Sequence, residues 1–197
     1  MNKTRNGLYK KRITELVQTI SSLRAKSRIF VMAEVLSFAV SIGFVVLFTV
    51  LDDASWTLGV ALCVLFLYFY IRNLDTKNDR KIADATALKQ VYEKEIAYQK
   101  GDYTNFDAGE RYLQPVHPFT FDLDIFGKGS LFQRINRTIS SGGSDYLAES
   151  LSGKWESLST AELLNQIEQR AEAVDELAKN EPFLSQFKAQ GVEKLID

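Results

Sequence analysis

Residues 29–51 read IFVMAEVLSFAVSIGFVVLFTVL, and residues 56–71 read WTLGVALCVLFLYFYI; between them lies Leu51-Asp52-Asp53-Ala54-Ser55-Trp56. The first run is apolar except for Glu34 and small hydroxyl residues. Crossing a bilayer as a helix takes roughly 20 apolar residues, with about 17 acceptable. The first run meets this comfortably. The second is shorter and needs snorkelling flanks or local thinning of the bilayer. Both runs are apolar around the whole helix, unlike an amphipathic helix with one apolar stripe. The pattern predicts a transmembrane helical hairpin over 29–72.

The flanks give the hairpin a direction. Arg24, Lys26 and Arg28 precede it, and Arg72, Lys77, Arg80 and Lys81 follow it. The connecting turn carries two aspartates and no basic residue. By the positive-inside rule both termini face the cytoplasm; the expected location is a bacterial inner membrane. Trp56, Tyr68 and Tyr70 stand near the ends of the second run, where amphipathic rings favour the interface. Glu34 costs little at the headgroup edge and about 2.5–3.5 kcal/mol at mid-bilayer. The N-terminal basic region is too long for a cleaved signal peptide, and no small-residue cleavage site follows a short apolar core. The alternative is a helical hairpin buried in a soluble protein.

Outside the hairpin the chain is ordinary in charge and uneven in its placement. Its net charge is −1 over 197 residues, so nothing global marks a protein that coats nucleic acid. The lone cysteine, Cys63, excludes an internal disulfide and a thiolate metal cluster, and reads as a small apolar residue of the second run. Residues 1–28 read as a basic amphipathic helix with the stripe Ile13, Leu16, Val17, Ile20 and Leu23. Its apolar face either lies on anionic lipid or packs on a later helix. Residues 73–116 read as a helix and loop. The helix stripe is Ile82, Ala85, Leu88, Tyr92 and Ile96, and Gly101 ends it. Tyr103 and Phe106 are the packing anchors of the loop that runs to Pro115.

From His117 the texture changes: His117-Pro118-Phe119-Thr120-Phe121-Asp122-Leu123-Asp124-Ile125-Phe126-Gly127. Alternation of Phe119, Phe121, Leu123 and Ile125 predicts a short extended piece. Ser130 with Gln133 predicts a capping box and a helix over 131–138. Ser140-Ser141-Gly142-Gly143 interrupts it. A second helix runs to about Leu151, with Tyr146, Leu147 and Leu151 on one face. Ser159 with Glu162 opens a long helix whose stripe is Leu163, Leu164, Ile167, Ala171, Val174 and Leu177.

Residues 117–187 resemble the opening of the core, or lever, domain of the MutS family of DNA mismatch repair ATPases. The matching words are Leu123-Asp124-Ile125-Phe126-Gly127, Ser130-Leu131-Phe132, Asn136-Arg137-Thr138, Gly143 with Tyr146-Leu147 and Leu151, and then Ile167, Arg170, Ala173-Val174 and Leu177. The whole chain is similar to a MutS-related subgroup with a membrane hairpin where mismatch repair proteins carry a mismatch-reading domain. Two departures concern contacts to phosphate or DNA rather than packing. Ser144-Asp145 stand where basic residues usually follow the glycine, and Ser150 replaces an aromatic. The resemblance implies a mainly α fold: a transmembrane hairpin flanked by amphipathic helices, then a partial core domain over 117–197.

The sequence carries no complete catalytic motif. Gly127-Lys128-Gly129-Ser130 and Gly153-Lys154-Trp155 are the strings nearest a P-loop, and neither has its spacing. His117 reads as a turn residue. Asp122 and Asp124 lack a third metal ligand and read as partners for nearby N–H groups. Arg134 and Arg137 read as a solvated helix face. No catalytic, cofactor-binding or metal-binding residue is expected here. ATP and Mg belong to a full-length relative, whose lever and ATPase would follow Asp197. The partners implied are the bilayer, the rest of a MutS-like core, a possible second copy and, less directly, DNA. The expected function is the non-catalytic anchor and core-opening portion of a MutS-related ATPase. The alternatives are a stand-alone membrane scaffold and a soluble helical interaction module.

Overall fold

A computed structural model describes residues 2–50, 56–153 and 159–192, with side chains described from Arg5 onward. The acidic turn predicted at 52–55 and the Lys154-Trp155 string lie outside the described residues. The chain is mainly helical, and no strand occurs among the described residues. The helices are α1 (Asn2–Val50), α2 (Trp56–Gln99), α3 (Leu131–Ile135), α4 (Ser141–Leu151), α5 (Thr160–Ala178) and α6 (Glu181–Gln190). Residues form two compact units: 14–86, and 1–13 with 87–197.

The compositional borders at 28/29 and 72/73 lie inside continuous helices. Nothing interrupts them: α1 and α2 contain no proline, and their glycines are few. A helix passes from charged to apolar sequence without altering its backbone hydrogen bonds. Gly101 does end α2, as expected. Its φ is +91°. Its N–H donates to the Tyr98 carbonyl (2.9 Å), and the Asp102 N–H donates to that of Ala97 (3.0 Å). This paired closure is the usual glycine stop.

In the 14–86 unit, the shielded residues of α1 step three and four apart: Leu16, Ile20, Leu23, Ser27, Phe30, Glu34, Ser37, Ser41. Those of α2 do likewise: Thr57, Ala61, Val64, Tyr68, Ile71, Asp75, Asn78, Ile82. This is the narrow seven-residue seam of two helices packed side by side. It also corrects the sequence reading at Val17, which lies off the seam and is exposed.

The other unit gathers 1–13 with 87–192. Phe132 is fully buried among the rings of Tyr112 and Phe126, with centroid separations of 5.5 Å to each. Ile125 and Ala148 complete this core, and Leu147 and Leu151 pack on it. Gly109 allows the packing: its φ is +66°, and a Cβ there would stand 2.6 Å from the Phe132 ring.

The predicted extended piece at 119–125 is instead a run of turns. The Leu123 N–H donates to the Phe119 carbonyl (3.0 Å), Ile125 to Thr120 (3.0 Å), and Asp124 sits at φ +49°. The alternating apolar residues do not share a sheet face: Ile125 is buried, while Phe121 and Leu123 are exposed.

Ser130 caps α3 as expected, accepting from the Gln133 N–H (3.2 Å). The Gln133 side chain accepts from Gly129 rather than Ser130 (2.8 Å), so the reciprocal half of the box is displaced by one residue. Helix α3 also stops early. Asn136 takes extended backbone, and its Oδ1 accepts from the Thr138 N–H (3.0 Å) and hydroxyl (2.7 Å). In α4 the two glycines lie within the first turn, because Ser140 is the cap and accepts from the Gly143 N–H (3.1 Å). The buried face of α4 is Ser144 and Ala148; Tyr146 is half exposed. The capping box at Ser159 and Glu162 forms as predicted.

Candidate functional site

Two regions have the chemistry to act: the surface and seam of the hairpin, and a charged cluster in the other unit. The hairpin is inside-out by the standards of a water-soluble helix pair. Its seam buries Glu34, Ser37, Ser41, Thr57 and Ala61. Its outward faces show Met32 (73% exposed), Val35, Leu36 (66%), Leu62 (56%) and Phe66. Only 17% of the apolar window of α1 and 11% of that of α2 is buried, and both helices are long and apolar enough to cross a membrane.

Small seam residues let the helices approach closely. The Ser41 hydroxyl donates to the Ala61 carbonyl (3.1 Å). Further along, Ser27 donates to Asp75 (3.0 Å), and the Asn78 side chain donates to the Leu23 carbonyl (3.0 Å). The Arg72 guanidinium lies 3.6 Å from Glu34 and 3.8 Å from Asp75. Glu34 thus has a cationic partner on the other helix, and its second oxygen is buried without a hydrogen bond. Shielded polar pairs of this kind oppose register slip, since sliding one helix would leave each group alone.

In the other unit, Glu95 on α2 is the meeting point. One of its oxygens accepts from Arg137 (3.2 Å) and from Lys188 on α6 (2.7 Å). Arg137 is also held over the rings of Phe106 (3.6 Å) and Tyr98 (4.4 Å). Its predicted place on a solvated helix face is therefore corrected. Because α3 ends at Ile135, Arg137 turns inward, and its side chain is 22% exposed. Arg134 keeps to the surface, over Tyr103 (5.6 Å). Beside the cluster lies a cavity of about 200 Å³ lined by Val91, Asn105, Asn136 and Thr138 among others.

Three phenols of this unit are perturbed. Burial, and then the Glu95 and Glu181 carboxylates, raise the Tyr9 phenol above its ordinary value. Burial also raises Tyr92, whose ring lies 5.3 Å from that of Tyr9. Burial and then Asp145 raise Tyr112. Each fold-raised pKa favours the neutral phenol. The associated stability is fully present below the unfolded value near 10 and is lost as pH rises through the folded value. An alkaline titration of phenolate absorbance should show a late phase carried by these three of the eight tyrosines. Tyr9→Phe and Tyr92→Phe should each remove part of the late phase. A single phase near the ordinary pKa in the folded chain would contradict this.

The remaining residues singled out by sequence fall into place one by one. His117 is a turn residue: its Nδ1 accepts from the Thr120 N–H (3.3 Å), and its ring meets Phe119 edge-on. Asp122 and Asp124 cap nothing, contrary to expectation; among the described residues neither side chain has a polar partner. At the α3 N-terminus the Asp124 backbone carbonyl accepts from the Leu131 N–H (3.3 Å), and the Ser130 hydroxyl does the side-chain capping. Three of the four N–H groups of the Gly127–Ser130 string are engaged within the protein. Gly127 donates to Ala108 (2.8 Å), Gly129 to Gln133 (2.8 Å) and Ser130 to Gly127 (3.2 Å). A phosphate cradle needs such groups free. Cys63 is exposed on the apolar surface of α2.

Asp145, one of the two departures from the MutS pattern, accepts from Arg111 (3.0 Å) and the Tyr112 hydroxyl (2.6 Å), tying α4 to the turn at 110–112. Ser150, the other, donates back to the Tyr146 carbonyl (2.7 Å). No group of residues able to hold a metal ion occurs among the described residues. No protein-family model, curated protein or solved structure matches the chain.

The hub at Glu95 could not be read from the sequence. Glu95, Arg137 and Lys188 are up to 93 residues apart, and no local pattern marks them. The seam was not read from the sequence either; the signal that could have marked it is Glu34, Ser37 and Ser41, polar or small residues three and four apart within the apolar run.

Proposed function

We propose that this chain is the membrane-anchoring and core-opening portion of a MutS-related ATPase, in which it performs no catalysis itself. The observation that carries the reading is the state of α5. No residue of this 19-residue helix is buried. Its stripe lies open, with Leu164, Ile167, Val174 and Leu177 all more than two-fifths exposed. An amphipathic helix of this length is rarely stable without a packed face. An open stripe here suits a core whose further helices come from another segment, as the resemblance over 117–187 implies.

The outward apolar surface of α1 and α2 supports a hairpin that spans the bilayer. The basic flanks at 24–28 and 72–81 support cytoplasmic ends. On this reading ATP and Mg bind in the remainder of the ATPase. Contact with DNA, and pairing with a second copy, also belong to the assembled protein.

The test starts from the endogenous gene, tagged at the codon for Asn2. The tagged product should be membrane-bound, longer than 197 residues and able to hydrolyse ATP. The 197-residue chain alone should bind no ATP at micromolar concentration. A native product that ends at Asp197, or saturable ATP binding by the short chain, would sink the proposal.

A second reading, a stand-alone membrane scaffold, draws on a different observation. Residues 87–99 already supply partners to the C-terminal segment, through Glu95 with Arg137 and Lys188, and Tyr9 of the 1–13 stretch packs on Tyr92 beside them. A native product ending at Asp197 would favour it.

A further inference from the structure

Where the apolar run of α1 begins, an open groove of about 690 Å³ lies between α1 and α2 in the 14–86 unit. Arg24, Arg28, Val31 and Met32 line it from α1, and Asp79 and Ile82 from α2. The two arginines are one helical turn apart and so lie on one face. Among the described residues neither guanidinium has a protein partner. That sets them apart from Arg72, which is held by Glu34 and Asp75, and from Arg137, which is held by Glu95. Beyond them the groove turns apolar, with Val31 46% and Met32 73% exposed. Two guanidinium groups against one carboxylate leave the lining with a surplus charge of +1 (2 − 1).

From these features we propose that the groove binds one anionic phospholipid, with phosphatidylglycerol as the fitting class. The proposal rests on the hairpin spanning the bilayer. Unpaired guanidinium groups at the headgroup level match a phosphate, which takes parallel N–H···O bonds from arginine. The single surplus positive charge matches the single negative charge of this lipid. Asp79 can accept a hydrogen bond from a glycerol hydroxyl of the headgroup. Val31, Met32 and Ile82 then meet the start of an acyl chain. Phosphatidylcholine has no net charge and no headgroup donor, so it satisfies neither Asp79 nor the surplus. Generic attraction between basic residues and an anionic membrane predicts something different, namely that any two basic residues at this level matter equally.

The test uses the full chain in nanodiscs of phosphatidylcholine, with phosphatidylglycerol titrated in and retained lipid counted by native mass spectrometry. The wild-type chain should retain phosphatidylglycerol saturably, close to one per chain, a result that needs no variant. R24Q/R28Q should weaken retention about tenfold or more, while K77Q/K81Q, which removes equal charge outside the groove lining, should weaken it by less than about threefold. Equal losses in the two double variants, or unsaturable retention by the wild type, would overturn the site. A chain that enters the nanodiscs but shows no preference defeats this inference and leaves the spanning hairpin standing. A chain that does not enter them defeats both.

Discussion

Phe132→Ala should lower the stability of the unit formed by 1–13 and 87–197 by about 3–5 kcal/mol, the cost of emptying a fully buried aromatic position. The ring has no exposed surface and touches Tyr112 and Phe126. The Gly109 backbone approaches it so closely that a Cβ would clash. Such a site cannot collapse easily to fill the space, because Tyr112 is tied by its hydroxyl to Asp145 and Phe126 is followed by a turn at Gly127. The effect should therefore lie towards the upper end of the range. The measurement is denaturant unfolding of the full chain followed by tyrosine near-ultraviolet circular dichroism. Leu131→Ala, on the adjacent residue with 44% exposure, is the comparison and should cost about 1 kcal/mol or less. Equal costs at the two positions would show that Phe132 is not the centre of this core.

Leu36→Lys and Leu62→Lys should each impair membrane insertion by about 2.5–3.5 kcal/mol if placed near mid-bilayer. Both side chains point outward, with exposures of 66% and 56%. In water an exposed leucine-to-lysine change is close to neutral for folding, generally within about 0.5 kcal/mol, and improves solubility. The two environments thus predict opposite behaviour from one substitution. Wild-type chain should stay in the membrane pellet after alkaline carbonate. The double variant should shift markedly to the supernatant or be degraded. A double variant that remains fully in the pellet, or a wild type released by carbonate, would contradict the spanning hairpin. For orientation, a cysteine placed at Ser55 after Cys63 is replaced should react with an impermeant thiol reagent from outside the cell.

How far the residues alone carried the fold differs by region. The stop at Gly101 and the caps at Ser130 and Ser159 were legible because each depends on a few neighbouring residues whose chemistry is local. The same holds for the turn role of His117. The extended piece at 119–125 failed for the opposite reason. Alternation signals a strand only when a neighbouring strand accepts its hydrogen bonds, and none exists among the described residues. Without that partner the segment closed its hydrogen bonds internally, as turns. Arg137 was misplaced because α3 was expected to run to Thr138, and ending it at Ile135 changes the direction of every later side chain. The segment 117–197 looked like a core lacking later helices. Part of what it needs lies earlier in the chain, at Val91, Tyr92 and Glu95.

What the sequence determined by itself is the helical character of the chain, the length and polarity of its two apolar helices, and the points at which caps and glycines stop its elements. These follow from short-range backbone chemistry and from hydropathy summed over a window. Tertiary structure alone decided which face of each long helix is shielded, and it put polar Glu34, Ser37 and Ser41 on the inside while leucine and phenylalanine stayed outside. It alone brought Glu95, Arg137 and Lys188 to one point. The reason is geometric: two all-apolar helices offer no stripe to orient them, so small residues that permit close approach and polar groups that need partners choose the seam.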